Sequence, residues 1–327
     1  MTIYLPIYNK QKYLIESIRS VQKQTLNYIE IIAVNDYSTD NTLKILKKLS
    51  KKDPRIKIIN NDNNHGLLYT RTMGILNSSG EFVMNLDPDD IIKESNSLQY
   101  IYNIAHFYNI DVVSFSFLKQ NENHLKCFNQ NKIINQPLLF ESAFKNNKIT
   151  DYILWNKLVK RQLMLKVYKI FKKRIYKNKW NYGEDTIWSI LINKYAESMI
   201  CINKTIYLYN INNDSLMKNN ANIINLKNMI YYLEMNIKIF KNEIEHQYLI
   251  SNVLDFFSYF KNENNLVITL LNYNLETKKR LINLLILLMR KIHIPFLIVK
   301  RIKILFYLLK NIKIIPYNYL NNSISFF

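Results

Sequence analysis

Glycine is almost missing from this chain, with four in 327 residues where average usage is roughly 7%. That scarcity excludes a collagen-like chain, and each surviving glycine marks a backbone position where a side chain would not fit. Three of them, Gly66, Gly74 and Gly80, lie close together, and the fourth, Gly183, precedes Glu184-Asp185. Cysteine is equally sparse. Cys127 and Cys201 are far apart with no CxxC spacing, so neither a disulfide framework nor a structural zinc site is expected, and a reducing compartment fits. Long apolar runs are absent too: the most apolar charge-free stretch, residues 281–289, stops at Arg290, well short of the ~18 residues a spanning helix needs. No basic n-region leads into residues 2–7, which read as a strand rather than a signal peptide. The expectation is a cytoplasmic protein, soluble or peripheral on the cytoplasmic face of a membrane.

Acidic residues are the last deficit. Lys and Arg number 45 against 25 Asp and Glu, a formal charge of +20. Residues 157–179 hold ten Lys/Arg and no acid, and residues 270–327 hold ten with one acid, Glu276. Nearly all the excess therefore sits in two blocks, which points to an anionic partner surface rather than a general drift in composition. Nucleic acid is disfavoured, because no zinc finger, RRM-like aromatic pair or basic-zipper heptad is present. An anionic membrane suits the C-terminal block better: on a helix, Lys300, Lys303 and Lys310 share one side and Ile302, Leu305 and Leu309 the other. Packing of that helix on the rest of the chain explains the same spacing.

What is present is enough for a core, with 48% apolar and 21% charged residues, and the length suits one large domain with an appendage. The first ninety residues alternate between strand and helix. Residues 2–7 read as a strand, followed by a helix carrying Leu14, Ile18 and Val21 with Asn9 as its cap. Residues 29–34 suit a strand buried on both faces, leading to a helix with Leu43, Leu46 and Leu49 aligned. A strand at 56–59, a helix near 69–77 and a strand at 81–86 follow. This order implies an α/β fold with a mostly parallel sheet covered by helices. Beyond it come a helix to about 109, a strand at 111–118 and helical stretches around Trp155 and Thr186; from about 219 only long helical patterns remain. The expected organisation is a catalytic domain over 1–218, with halves 1–110 and 111–218, and a helical, basic region over 219–327.

Ligands of such sheets bind beyond the carboxyl ends of the strands. Those ends carry Tyr8-Asn9, Asn35 through Asp40, Asn64-His65-Gly66, and Asp87-Pro88-Asp89-Asp90. Three carboxylates in four residues, Asp87, Asp89 and Asp90, repel one another unless a cation neutralises them. A hard divalent ion such as Mg²⁺ or Mn²⁺, held by one or two carboxylates and by substrate phosphates, would do so. An acidic helix-capping turn is the plain alternative. Asp36, on a neighbouring strand tip, is placed either to accept a hydrogen bond from a nucleobase or ribose or to cap a helix.

The strings TIYLPIYN (2–9), VNDYSTDNT (34–42), NHG (64–66) with Arg71 and Gly74, SGEF (79–82) and LDPDD (86–90) together resemble the successive motifs of the family 2 glycosyltransferases. WNKL (155–158) and GEDT (183–186) resemble segments of members that build bacterial-type surface glycans, and residues 207–215 are similar to the strand and loop that close the catalytic domain. The resemblance covers about residues 1–217. It implies a GT-A fold and an inverting transfer from a nucleotide sugar to a glycan or lipid-linked acceptor. It also implies Asp36 as a uracil contact, Pro6, Tyr8 and Arg71 in the nucleotide pocket, Asp87 at the ribose or metal, Asp89 on an Mn²⁺ or Mg²⁺ ion, and Asp185 as general base. This sequence departs from the pattern at Asn35 (usually acidic), Tyr37 (commonly glycine), Thr72 (commonly asparagine) and Asn210 (often arginine). Lys157 or a neighbour in its basic block is the expected stand-in for the missing arginine.

Two other classes remain at this level: a non-catalytic nucleotide-sugar or nucleic-acid binding protein that kept the fold, and a nucleotidyltransferase. The latter would be expected to carry a glycine-rich phosphate loop near the N-terminus, and residues 5–12 contain no glycine.

Overall fold

The computed structural model describes residues 1–119, 132–135, 153–175 and 184–210. The chain divides into two compact units, Met1–Ser215 and Leu216–Phe327; the second lies outside the described residues, as do Cys127, Gly183 and the proposed membrane-facing helix. Among the described residues no helix is long and apolar enough to cross a membrane.

Among the described residues nine strands form one mixed sheet: β1 (Thr2–Ile7), β2 (Glu30–Asn35), β3 (Ile56–Asn60), β4 (Phe82–Asn85), β5 (Ile91–Ile92), β6 (Val112–Lys119), β7 (Ile133–Asn135), β8 (Lys157–Lys160) and β9 (Ser198–Tyr209). The helices of the described residues are α1 (Leu14–Gln22), α2 (Thr42–Ser50), α3 (Leu67–Leu76), α4 (Ser97–Phe107), α5 (Arg161–Ile175) and α6 (Glu184–Tyr195). The strand order is β3-β2-β1-β4-β8-β6-β9-β5, with β7 pairing on β9. The first four strands are parallel, β8 is antiparallel to both β4 and β6, and β6 runs parallel to β9.

The parallel half follows from burial on both faces. Every residue of β1 is buried and so are five of the six in β2, which is why neither shows the alternation of a half-exposed strand. Pro6 cannot donate a ladder bond, and it lies beyond Tyr4, the last residue of β1 registered against β4. Leu14, Ile18 and Val21 of α1 pack in the same core as Ile3, Leu5 and Ile7; each such side chain, fully buried, contributes roughly 1.5–3 kcal/mol.

Three expectations are corrected here. Asn9 does not cap α1: the residue before that helix is Tyr13, with no side-chain cap bond. Asn9 instead adopts a left-handed backbone, φ 51°, and its side-chain oxygen accepts from the Thr39 amide at 2.8 Å. Trp155 is not helical. It sits in a turn before β8, stacked on Tyr207 and Tyr209 with ring centroids 4.6 and 5.4 Å away. Both Trp155 and Trp188 are core residues, 7% and 0% exposed. Cys201 is buried in β9 and disulfide-bonded, against the expectation that the cysteines form no disulfide.

Gly74 brings α3 onto β1. A Cβ there would stand 2.8 Å from both the Cβ and a ring carbon of Tyr4, and Tyr4 is 1% exposed and unable to retreat. Gly74→Ala is therefore expected to cost about 1–3 kcal/mol through overpacking, read as a lowered urea midpoint at unchanged m-value.

Candidate active site

In the order β3-β2-β1-β4 the chain runs outward from β1 through β2 and β3, then returns to β1's other side at β4. The carboxyl ends of β1 and β4 thus flank a topological switch point, where a crevice opens in such sheets. The loops after β1, β2 and β4 meet there. Asn9 N donates to Ser38 Oγ at 3.0 Å, Lys10 N to Thr42 Oγ1 at 2.9 Å and Asn41 N to Gln11 Oε1 at 3.0 Å, locking the first two loops together. Lys10 Nζ lies 2.5 Å from Asp89 Oδ2, joining the first loop to the third.

Arg71, on α3 and 2% exposed, is the hub. Its guanidinium donates to Asp87 Oδ1 at 3.1 Å and to Glu184 Oε1 at 2.8 Å, and forms an ion pair with Asp185. One planar fork of donors thus joins the aspartate turn to the start of α6, 113 residues from Arg71. Burial alone would lower the guanidinium, but Asp87 and Glu184 outweigh it and hold it above its ordinary value. For Glu184 burial prevails over the attraction of Arg71, and its carboxyl is raised.

The three turn carboxylates have separate surroundings. Asp87 accepts from Arg71 and from Asn85 Nδ2 at 2.8 Å. Asp89 meets Lys10. Asp90 is 1% exposed and accepts from Tyr207 Oη and Asn210 N, both at 2.8 Å. Burial, then the charges of Asp87 and Asp89, push Asp90 well above the usual carboxylate range. Tyr207 Oη also accepts from Asp87 N at 3.1 Å, and Asn210 Nδ2 donates to Asp89 O at 2.7 Å. Asn210, standing where arginine is often found, fastens the end of β9 to the aspartate turn.

Asp36 follows β2 and is 3% exposed. It accepts from Asn61 Nδ2 (2.8 Å), His65 N (3.0 Å) and Gly66 N (2.9 Å), and so fixes the loop entering α3. Gly66, at φ 89°, is the residue before that helix, in a conformation that side chains avoid. His65 has a loop role, its Nε2 2.8 Å from Asp62 Oδ1 and its ring 4.4 Å from that of Tyr69. Pro6 is buried in β1 and Tyr8, 45% exposed, stands at that strand's end. Lys157, expected as a substitute diphosphate contact, is 1% exposed; its ammonium donates to the Ile153 carbonyl and to Asn156 Oδ1, inside the turn before β8 rather than at the crevice mouth.

Tyr37 takes φ 60° and is 52% exposed. A bulky side chain in that region is strained. Tyr37→Gly is expected to stabilise the fold by about 1 kcal/mol, seen as a higher denaturation midpoint.

The structure brings together Asp87, Asp89, Asp185 and Arg71, which the sequence singled out, with Lys10 and Tyr207, which it did not. Neither carries a local signal: their partners lie 79 and 117 residues away in the chain. Among the described residues no group of three or more His, Cys, Asp or Glu is arranged to hold a metal ion. The side chains of Asp87 and Asp89 are 22% and 17% exposed. This donor set fits a hard divalent ion that takes one or two carboxylates and completes its shell with phosphate oxygens, not an all-protein cage.

The family model "Glycosyl transferase family 2" matches residues 2–167. The chain belongs to glycosyl transferase family 2. Among curated relatives, Glycosyltransferase GlyA of Streptococcus pneumoniae is 28% identical over 268 residues, covering 75% of this chain but only 37% of GlyA. A Campylobacter jejuni protein, GalNAc(5)-diNAcBac-PP-undecaprenol beta-1,3-glucosyltransferase, is 28% identical over 250 residues, 75% of each chain. Among solved structures, S. aureus TarS 1-349 in complex with UDP-GlcNAc superposes with a TM-score of 0.65 at 20% identity, covering 88% of this chain and 80% of TarS 1-349. That likeness supports the same GT-A architecture: a mixed α/β sheet with flanking helices.

Proposed function

We propose that this family 2 member is an inverting glycosyltransferase that moves a sugar from a UDP-sugar to a hydroxyl of a glycan or lipid-linked glycan. The observation that carries the reading is the Arg71 hub, which ties the aspartate turn and the Glu184-Asp185 pair to one guanidinium. A donor diphosphate at the turn then lies close to a carboxylate able to serve the acceptor.

In this reading Asp185 accepts the proton of the acceptor hydroxyl as that oxygen bonds to the anomeric carbon from the face opposite the nucleotide. The bond from that carbon to the diphosphate oxygen breaks and its electron pair leaves with the diphosphate. Configuration inverts. Asp89, with Asp87, would hold Mn²⁺ or Mg²⁺, and such an ion supplies charge neutralisation for the departing diphosphate. Tyr8 and Pro6 line the nucleotide side. Asp36, with roughly one of about four acceptor positions left, takes an N–H of the base. Most of the acceleration comes from positioning and charge neutralisation. A lipid-linked acceptor is supported by the Campylobacter relative, whose name contains a PP-undecaprenol-linked glycan, and fits a catalytic domain ending near residue 218 with a basic region, 219–327, on the cytoplasmic face of a membrane.

The test is a panel of nucleotide sugars scored for thermal stabilisation with Mn²⁺ and then for release of nucleoside diphosphate. One UDP-sugar should raise the melting temperature above the rest and release UDP. Stabilisation without release would favour a binding protein that kept the fold, and steeply salt-sensitive DNA binding with no nucleotide-sugar effect would contradict both.

A further inference from the structure

The aspartate turn already holds a cation of its own. Lys10 Nζ lies 2.5 Å from Asp89 Oδ2, with the two side chains 19% and 17% exposed. The lysine's backbone is pinned by Lys10 N donating to Thr42 Oγ1 at 2.9 Å, next to Asn9 in its left-handed conformation. The contrast with Asp87 is informative. That carboxylate is bound by Arg71, a guanidinium 2% exposed and engaged by Glu184 and Asp185 as well, which cannot leave without stranding the buried Glu184. The Lys10 ammonium is a single charge on a four-carbon stem, reachable by solvent and free to rotate away at little cost.

We propose that Lys10 is a built-in competitor for the divalent cation. It neutralises Asp89 before the metal arrives and must be displaced for the metal to bind. The inference rests on the metal assignment made above and adds a determinant of how tightly the ion is held. A doubly charged ion held by Asp89 together with a donor diphosphate would outbid one ammonium, whereas the same ion without nucleotide would have only the turn's own carboxylates to set against Lys10. Lys10 thereby links retention of the metal to arrival of the donor.

The experiment titrates Mn²⁺ into the full chain without nucleotide and reads free Mn²⁺ by electron paramagnetic resonance. Lys10→Gln is expected to tighten Mn²⁺ binding on the order of fivefold, the scale of a partly exposed ion pair. Lys10→Arg, which keeps the charge, should bind no more tightly than the unaltered chain. Lys44→Gln, the same charge change on exposed α2, should leave the affinity within twofold, and Asp89→Asn should abolish the site in every background. Unchanged but measurable affinity in Lys10→Gln, or an equal gain in Lys44→Gln, overturns the proposal and leaves the metal assignment standing. If no variant binds Mn²⁺ with or without UDP, the metal assignment falls and the proposal falls with it. Circular dichroism of each variant separates these outcomes from misfolding.

Discussion

Arg71→Ala is expected to cost about 3–5 kcal/mol of stability, the scale seen when one partner of a buried ion pair is removed. The guanidinium is 2% exposed, and it serves Asp87, Glu184 and Asp185 at once. Without it Glu184, 4% exposed, must either stay ionised with no cation or take up a proton in the core. Lysine should rescue only part of the loss, because a point charge cannot satisfy carboxylates on two sides of a planar fork. Urea unfolding of Arg71→Ala, Glu184→Gln and the double variant measures the coupling: the double variant should lose less than the sum of the single losses, by 0.5 kcal/mol or more. Additive losses, or an Arg71→Ala cost below about 1 kcal/mol, would show that the hub is not the structural centre of the site.

The second large effect is on turnover. Asp185→Ala should lower the rate of UDP release about 10²–10⁴-fold, the usual contribution of a positioned base, with much less effect on nucleotide binding than on rate. Both acids at the first turn of α6 pair with Arg71, but Asp185 keeps a solvent-reachable side chain whereas Glu184 is buried. Glu184→Gln is therefore expected to act by misplacing Arg71 and to weaken donor binding as well as rate. A Glu184→Gln loss confined to kcat and equal to that of Asp185→Ala would exchange the roles of the two carboxyls.

The parallel half of the sheet was legible because it obeys local rules. β1 and β2 are continuous apolar runs, and the helices after them carry apolar residues at three- and four-residue spacing. The second half obeys pairing rules instead. β5 is two residues long and exists because Ile91 and Ile92 register against Leu208 and Tyr207. β8, four residues long, lies antiparallel between β4 and β6, and the apolar spacing of Leu154, Trp155 and Leu158 just before and within it mimics a helix face. At the site, the acids stood out because they follow strands, and the glycines because so few remain. Their partners did not. Tyr207 reads as an ordinary strand residue until Trp155 stacks on it and its hydroxyl is seen to bridge Asp87 N and Asp90. Asp36 was legible as a residue at a strand tip, whereas its bonds to His65 N and Gly66 N depend on where α3 begins.

Hydrogen–deuterium exchange with and without UDP and Mn²⁺ tests most directly whether the loops after β1, β2 and β4 form one nucleotide crevice. Amides of residues 8–11, 36–40, 64–66 and 87–90 should gain protection together, and the opposite ends of the same strands should not change. Protection confined to one of these loops, or appearing only elsewhere in the chain, would contradict a shared donor site at the carboxyl edge of the sheet.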